Sequence, residues 1–293
     1  MWLLFLGSVI FSRTESAFGK QNGVIGGKNI LFNCVKMFSA CLVGLVFAIS
    51  GGIFFHSQTI IYAGIYSVFL IIACFCGLQA LSCGRMAFTS MIASFSLIVP
   101  CLFGWLVLKE TLSTCGIIGF VLVCVSIVLL NYKKKGQTGA LSVKCWIYSI
   151  ITMLANGGAS VVQKLHQTEF PNLYRGEFML YSMAFAFLVF LVIMLFSKSQ
   201  NNQNQSSQNN ENNKTKKKTL FYGAIAGVCN CLANFFILYL SAGENASVLF
   251  PTISALNMVF ACVIGRIFFK EKINLVQVIS IIIGITSVVL LKI

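Results

Sequence analysis

The chain contains no aspartate and only two histidines, His56 and His166. Its acidic residues are seven glutamates: Glu15, Glu110, Glu169, Glu177, Glu211, Glu244 and Glu271. A carboxylate dyad, a Ser-His-Asp triad or a metal cage needs parts that this inventory barely supplies. The scarcity counts against hydrolytic and metal-dependent chemistry. Charge of either sign is also scarce, at 10% of residues against about 25% in soluble domains. With 58% hydrophobic residues and a mean hydropathy of +0.88, a soluble fold could not cover its apolar surface. Alternating strands, the signature of a membrane barrel, are missing too.

What is present is a series of apolar runs of about 20 residues, long enough to cross a bilayer as helices. A spanning segment must satisfy its own backbone hydrogen bonds, so the runs predict an all-α integral membrane bundle. They fall at about 29–50, 60–82, 87–108, 113–132, 144–167, 177–196, 220–242, 246–269 and 275–291. A shorter apolar start, MWLLFLGSVIFSR, precedes them. It is too short for a core of about 30 Å, and it lacks the charged leader of a signal peptide. It reads as a truncated first helix followed by a Gly-rich loop with Arg13, Lys20 and Lys28. That makes about ten helices. The Asn/Gln-rich segment 198–218 cannot bury a core and reads as a disordered loop.

The net charge of +14 does not point to nucleic acid, because most Lys and Arg lie in short loops between apolar runs. There they set orientation and meet lipid headgroups. They concentrate after odd-numbered helices, which places those loops in the cytoplasm and both termini outside. The twelve cysteines sit mostly inside apolar runs, where they act as small hydrophobes. Their spacing matches no zinc pattern. No metal, cofactor or disulfide is expected.

One stretch occurs twice. Residues 94–131 and 255–292 each hold an apolar run, a Gly, a Lys-Glu pair and a second apolar run. Gly104 matches Gly265, Lys109-Glu110 matches Lys270-Glu271, and Ser126 matches Ser287, all at one offset. So long a period means a duplicated half rather than a solenoid. The halves are 1–136 and 137–293. Five helices per half is an odd number, so equivalent helices must cross the membrane in opposite directions. Two inverted five-helix repeats are an architecture of secondary transporters.

This layout resembles the EamA-type ten-helix members of the drug/metabolite transporter superfamily. The resemblance rests on PCLFGWLVLKETLS (100–113) and ACVIGRIFFKEKIN (261–274), and on the hairpins LSCGRMA (81–87) and LSAGENASV (240–248). In that family a turn with a conspicuous Glu precedes the last helix of each half, where Glu110 and Glu271 stand. The resemblance implies a central cavity opening alternately to either side of a bacterial cytoplasmic membrane, and a small metabolite or drug-like solute as partner. A lipid-linked-sugar flippase of the same fold is the alternative; a membrane enzyme or a scaffold fits less well. Most members keep both termini in the cytoplasm, against the charge distribution here, so both orientations stay open. Small relatives carry a coupling Glu in the middle of the first helix. Here Glu15 falls past the expected end of that helix, so no buried carboxylate is expected.

A solute site would then rely on amides, hydroxyls, aromatics and at most one cation. Polar groups at lipid depth usually face the bundle interior. Asn230 and Asn234 share one face of the eighth helix. Asn156 stands beside Gly157-Gly158, Gln79 lies on the third helix and Asn257 on the ninth. Tyr239 could stack on a solute or cap the cavity. Lys36 is expected to snorkel to the interface, with a substrate-binding cation as the lesser alternative. Gly223-x-x-x-Gly227 is expected to permit a close helix contact.

Overall fold

The structure is a computed structural model that describes residues 2–52, 55–83, 92, 94–110, 113–130, 143–201, 209–269 and 275–292. Those residues form ten α-helices: α1 (Trp2–Val24), α2 (Asn29–Gly51), α3 (Ser57–Cys83), α4 (Ile98–Leu106), α5 (Thr114–Leu130), α6 (Val143–Glu169), α7 (Arg175–Asn201), α8 (Asn209–Ser241), α9 (Ala246–Phe269) and α10 (Leu275–Lys292). A 3-10 turn, Phe95–Leu97, leads into α4. No strand occurs among the described residues. The protein is an all-α, multi-pass integral membrane protein.

Among the described residues, α2, α3, α7 and α8 contain windows long and apolar enough to cross a bilayer. Helix α1 falls outside that set because polar residues interrupt it, among them Arg13, Thr14 and Glu15. Apolar side chains such as Leu3, Val46, Ile61, Phe196 and Ile282 point outward. Lipid tails cover such a surface; water would not.

Two expectations need correction. The first helix does not stop near Arg13: α1 has 23 residues and is about 34 Å long at 1.5 Å per residue. Its polar half stays helical because its hydroxyls bond within the helix. Thr14 Oγ1 donates to the Ile10 carbonyl at 2.8 Å, and Ser16 Oγ to the Ser12 carbonyl at 3.0 Å. The segment 198–218 is also not one loop. Helix α7 reaches Asn201 and α8 begins at Asn209, while 202–208 lie outside the described residues. Extending an existing helix costs far less than starting one, so the apolar helices carry on into polar sequence.

The helices pair across the chain midpoint. Helix α1 packs on α8, α2 on α7 and α8, α3 on α6 and α7, α4 on α9, and α5 on α10. Exchanging each helix for the one five places away maps this pattern onto itself: α1 with α8 becomes α6 with α3, and α2 with α8 becomes α7 with α3. Equivalent helices meet head to tail. On α2 and α7, Gly44 faces Leu180 and Ala48 faces Gly176. On α5 and α10, Gly119 faces Leu291, and Ser126 Oγ donates to the Ser280 carbonyl at 2.5 Å. In both pairs, residue numbers rise along one helix as they fall along the other.

Two apolar cores result. One joins α1, α4, α5, α9 and α10, with Phe5, Val9, Leu97, Ile127, Leu249 and Val288 buried. The other joins α2, α3, α6, α7 and α8, with Met37, Tyr66, Phe178, Met183 and Leu238 buried. Lipid removes the hydrophobic drive between helices, so close packing has to hold them. Gly223 and Gly227 of α8 do this against α2: a Cβ on Gly223 would lie 3.1 Å from the Phe32 carbonyl, and one on Gly227 would run into the Lys36 carbonyl. Gly227→Ala should therefore cost about 1–3 kcal/mol through overpacking. Gly64 has nothing within 4 Å of a Cβ, so Gly64→Ala should leave stability unchanged or slightly raised. Thermal unfolding of both variants in lipid nanodiscs checks the contrast.

Candidate functional site

The face of α8 that begins with Gly223 and Gly227 continues through Asn230 and Asn234. These spacings of four, three and four residues keep one stripe in register along a helix. The glycines bring α8 onto α2, and the asparagines then arrive beside Lys36. Helix α1 comes from the other side with the same periodicity: Phe11, Glu15 and Phe18. Phe11 stacks on Phe236 with ring centroids 6.0 Å apart, and Phe18 packs on Tyr222 at 5.6 Å. The two aromatic pairs run antiparallel and leave Glu15 opposite Asn230.

Glu15, Lys36 and Asn230 form the polar centre. Lys36 Nζ donates to Glu15 Oε1 at 3.0 Å, and Asn230 Nδ2 donates to Glu15 Oε2 at 3.0 Å. The Lys36 side chain is 8% exposed and that of Glu15 21%. Next to them, the Asn234 Oδ1 accepts from Tyr66 OH at 3.0 Å and from Gln163 Nε2 at 3.1 Å. Asn234 Nδ2 returns a bond to the Asn230 carbonyl at 2.9 Å. Arg13 Nε donates to Asn257 Oδ1 at 2.8 Å, tying α1 to α9.

With Arg13 standing behind Asn257, Glu15, Lys36, Tyr66, Gln163, Asn230, Asn234 and Asn257 line a cavity of about 330 Å³. Its walls come from α1, α2, α3, the turn before α4, α6, α8 and α9. Leu97, Phe250 and Ile253 belong to one apolar core and Tyr66 and Ala159 to the other, so the cavity lies where the two cores meet. Of the residues singled out in the sequence, Asn156, Asn230, Asn234 and Asn257 line it. Gln79 does not: it sits on α3 beyond Cys74, half-buried outside the cavity. Tyr239 does not either. It is 47% exposed and its ring carries the Arg175 guanidinium at 3.9 Å. It faces away from the α8 stripe that holds the asparagines.

Sequence reasoning placed Glu15 in a loop and Lys36 at the interface. Both are corrected here, because α1 continues past Glu15 and because Gly227 lets α8 close over Lys36. The heptad-like run Phe11, Glu15, Phe18 was the available signal for the first. Tyr66 and Gln163 join the site only through the tertiary structure, as donors to Asn234 Oδ1.

The Lys109-Glu110 turn has a use that its repetition did not reveal. The Glu110 side chain is 8% exposed. It accepts from the Ala246 N–H at 2.9 Å, the Ser247 N–H at 3.1 Å and Ser247 Oγ at 2.8 Å. The two N–H groups belong to the first turn of α9, which offers them no acceptor within the helix and where a negative charge is favoured. Lys164 Nζ lies 3.7 Å from Glu110 Oε1 and donates to the carbonyls of Ser241 at 3.1 Å and Glu244 at 2.5 Å. The end of α8 and the start of α9 are thus clamped together by α6 and by the turn after α4. Gly104 leaves the necessary room, since a Cβ there would lie 2.6 Å from Glu110 Oε2. Lys109 is exposed, with φ at 52°. Lys270 and Glu271, the matching pair, lie outside the described residues.

Residues 143–293 match the model of the EamA-like transporter family. No curated protein sequence matches the chain. Twenty-nine chains of solved structures do. One, a crystal structure of a protein, superposes with a TM-score of 0.73 at 13% identity, covering 99% of this chain and 97% of its own. At that identity the likeness shows the fold alone.

Proposed function

The chain belongs to the EamA-like transporter family, and from that premise we propose that it carries a small polar solute through the central cavity by alternating access. The members of that family are transporters rather than enzymes. The observation that carries this reading is the polar cavity at the meeting of the two cores, walled by helices of both halves. A site shared by two inverted halves can open to one side or the other as they rock against each other. The symmetric, head-to-tail pairing of equivalent helices supports such a motion. The partners in this reading are the bilayer and a small-molecule solute, and the membrane is the cytoplasmic membrane of a bacterium, which takes helical bundles rather than barrels.

Flux in proteoliposomes tests it. Solutes of a metabolite panel that raise the unfolding temperature of the purified protein should also move across the membrane. Asn230→Leu with Asn234→Leu removes two cavity amides and should lower flux about 100-fold or more, because the polar partners of the solute and of Tyr66 disappear together. Intact flux in that variant would exclude the α8 amides from the pathway. Binding without flux for every solute would exclude transport.

A further inference from the structure

One rim of the bundle, away from the cavity, gathers basic side chains from both halves of the chain. Where α1 turns into α2, Gly27 meets α8: a Cβ on Gly27 would run into Asn22 Oδ1 and lie 2.5 Å from Thr219 Oγ1. Lys28 follows Gly27, Lys218 precedes Thr219, and Lys20 stands two residues before Asn22. This contact sets Lys20 and Lys28 beside the run Lys216, Lys217 and Lys218. Lys28 and all three lysines of the run are exposed, and Lys20 is half-buried. The Lys28 side chain makes no capping bond to α2. Three successive residues spread over more than half of a helix's circumference, so α8 presents positive charge on most of its surface here.

The depth of these groups follows from helix length. Helix α8 ends at Ser241 on the other side of the bundle. A hydrocarbon core of about 30 Å takes about 20 residues of helix, which reaches back to about Leu220. Lys216, Lys217 and Lys218 therefore stand just past the core, in the headgroup layer, and Lys28 stands level with them across the Gly27–Thr219 contact. Tyr222, packed on Phe18 with ring centroids 5.6 Å apart, marks the edge of the core, where Tyr is enriched. The opposite rim has another character. Glu110, Glu169, Glu177 and Glu244 lie there, in the α4–α5 turn, at the end of α6, at the start of α7 and in the α8–α9 turn, and Lys109 and Arg175 offset only part of their charge.

We propose that Lys28, Lys216, Lys217 and Lys218 form a binding surface for anionic phospholipid headgroups, with Lys20 at its margin. A phosphate lies at that depth and surrounds α8 on its exposed sides. A zwitterionic headgroup brings its own cation, which the lysines repel; an anionic one does not. The leaflet rich in anionic lipid is the cytoplasmic one, so this rim faces the cytoplasm. Trp2 and Leu291 then lie on the outer side, because α1 begins at the glutamate rim and Leu291 packs on Gly119 near the start of α5.

The test counts the lipids that stay on the whole protein. The protein is extracted from vesicles of equal phosphatidylglycerol and phosphatidylcholine and weighed intact by mass spectrometry. Phosphatidylglycerol should be retained at least about fivefold over phosphatidylcholine, which is what one lysine near an anionic surface supplies. Extraction in about 1 M salt, where the Debye length is about 3 Å, should remove most of that preference. The triple variant K216Q, K217Q, K218Q should bring the ratio close to one, and Lys28→Gln should lower it by less. Lys109→Gln, at the opposite rim, should leave it unchanged. All of these lysines are exposed, so the variants should unfold at the parent's temperature. Equal retention of both lipids by the parent would overturn the proposal. So would a preference that survives the triple variant, or one that Lys109→Gln abolishes equally. The assigned side has its own readout in cells. Alkaline phosphatase joined after Ile293 should be active, since that enzyme folds only outside the cytoplasm; an inactive phosphatase beside an active cytoplasmic reporter at the same position would overturn the orientation.

Discussion

Glu110→Ala should lower the stability of the protein by about 3–5 kcal/mol, the range for removing one partner of a buried charged network. The substitution strips three acceptor contacts from the start of α9 at once. An ordinary lost N-cap costs about 0.5–2 kcal/mol. Here Lys164 is also deprived of its counter-charge at 3.7 Å, which raises the cost. Glu110→Gln keeps the shape and one acceptor oxygen while losing the charge, and should cost about 1–2 kcal/mol, as expected for weakened charge-assisted bonds. Thermal unfolding in nanodiscs reads both. If Glu110→Ala unfolds at the same temperature as the parent, the clamp holds nothing. Lys164→Met provides a control. Its bonds to the Ser241 and Glu244 carbonyls are lost, while the Glu110 contacts to α9 remain.

Lys36→Met should be nearly as damaging alone and much milder in company. Alone, it leaves the Glu15 carboxylate facing Asn230 with no counter-charge. Breaking a buried pair from one side costs about 3–5 kcal/mol. Glu15 is 21% exposed toward the cavity, so cavity water relieves part of the penalty, and the lower end, about 3 kcal/mol, is the expectation. Adding Glu15→Gln removes the stranded charge. Replacement of a whole buried pair by groups of similar volume is often neutral, so the double variant should recover most of the loss. The difference between double and summed single effects is the coupling energy of the pair, and chemical unfolding of the four proteins measures it. Additive effects would mean that the two groups act as solvated neighbours rather than as a pair.

The two corners of the molecule were unequally legible. The apolar runs announced themselves, and the structure places α9 over Ala246–Phe269 and α10 over Leu275–Lys292, where the runs stand. Those helices are uniform in character, so local pattern and final structure agree. The first helix was misread because its second half, from Arg13 onward, is polar. A criterion built on apolar length ends the helix where the apolar residues end. Side chains that face a cavity follow a different rule: the face, not the whole helix, decides. Glu15 is a charge in the sequence and a cavity group in the fold, because Phe11 and Phe18 bury the same face of α1 against α8.

The amides were legible for the same reason in reverse. Asn230 and Asn234 interrupt an otherwise apolar run, and a polar group there needs an interior partner. Their spacing put them on one face without any tertiary knowledge. Which groups they meet was not deducible. Tyr66, Gln163 and Glu15 come from three other helices, at distances of 71 to 215 residues along the chain. Tyr239 shows the limit of reading polarity without direction. It stands five residues past Asn234, half a turn off the stripe, and pairs with Arg175 outside the cavity.

Composition and apolar run length were enough, by themselves, to determine a membrane bundle of about ten helices. Each of those properties is local or additive along the chain, so it survives without knowledge of contacts. Only the tertiary structure decided where the charges go. It carried α1 past Arg13, set Glu15 against Lys36 and Asn230, and turned Glu110 from a repeat marker into the cap of α9. The physical reason is that a charge in a bilayer is governed by its partners, and those partners lie on other helices, brought near by glycines whose effect is felt only on packing.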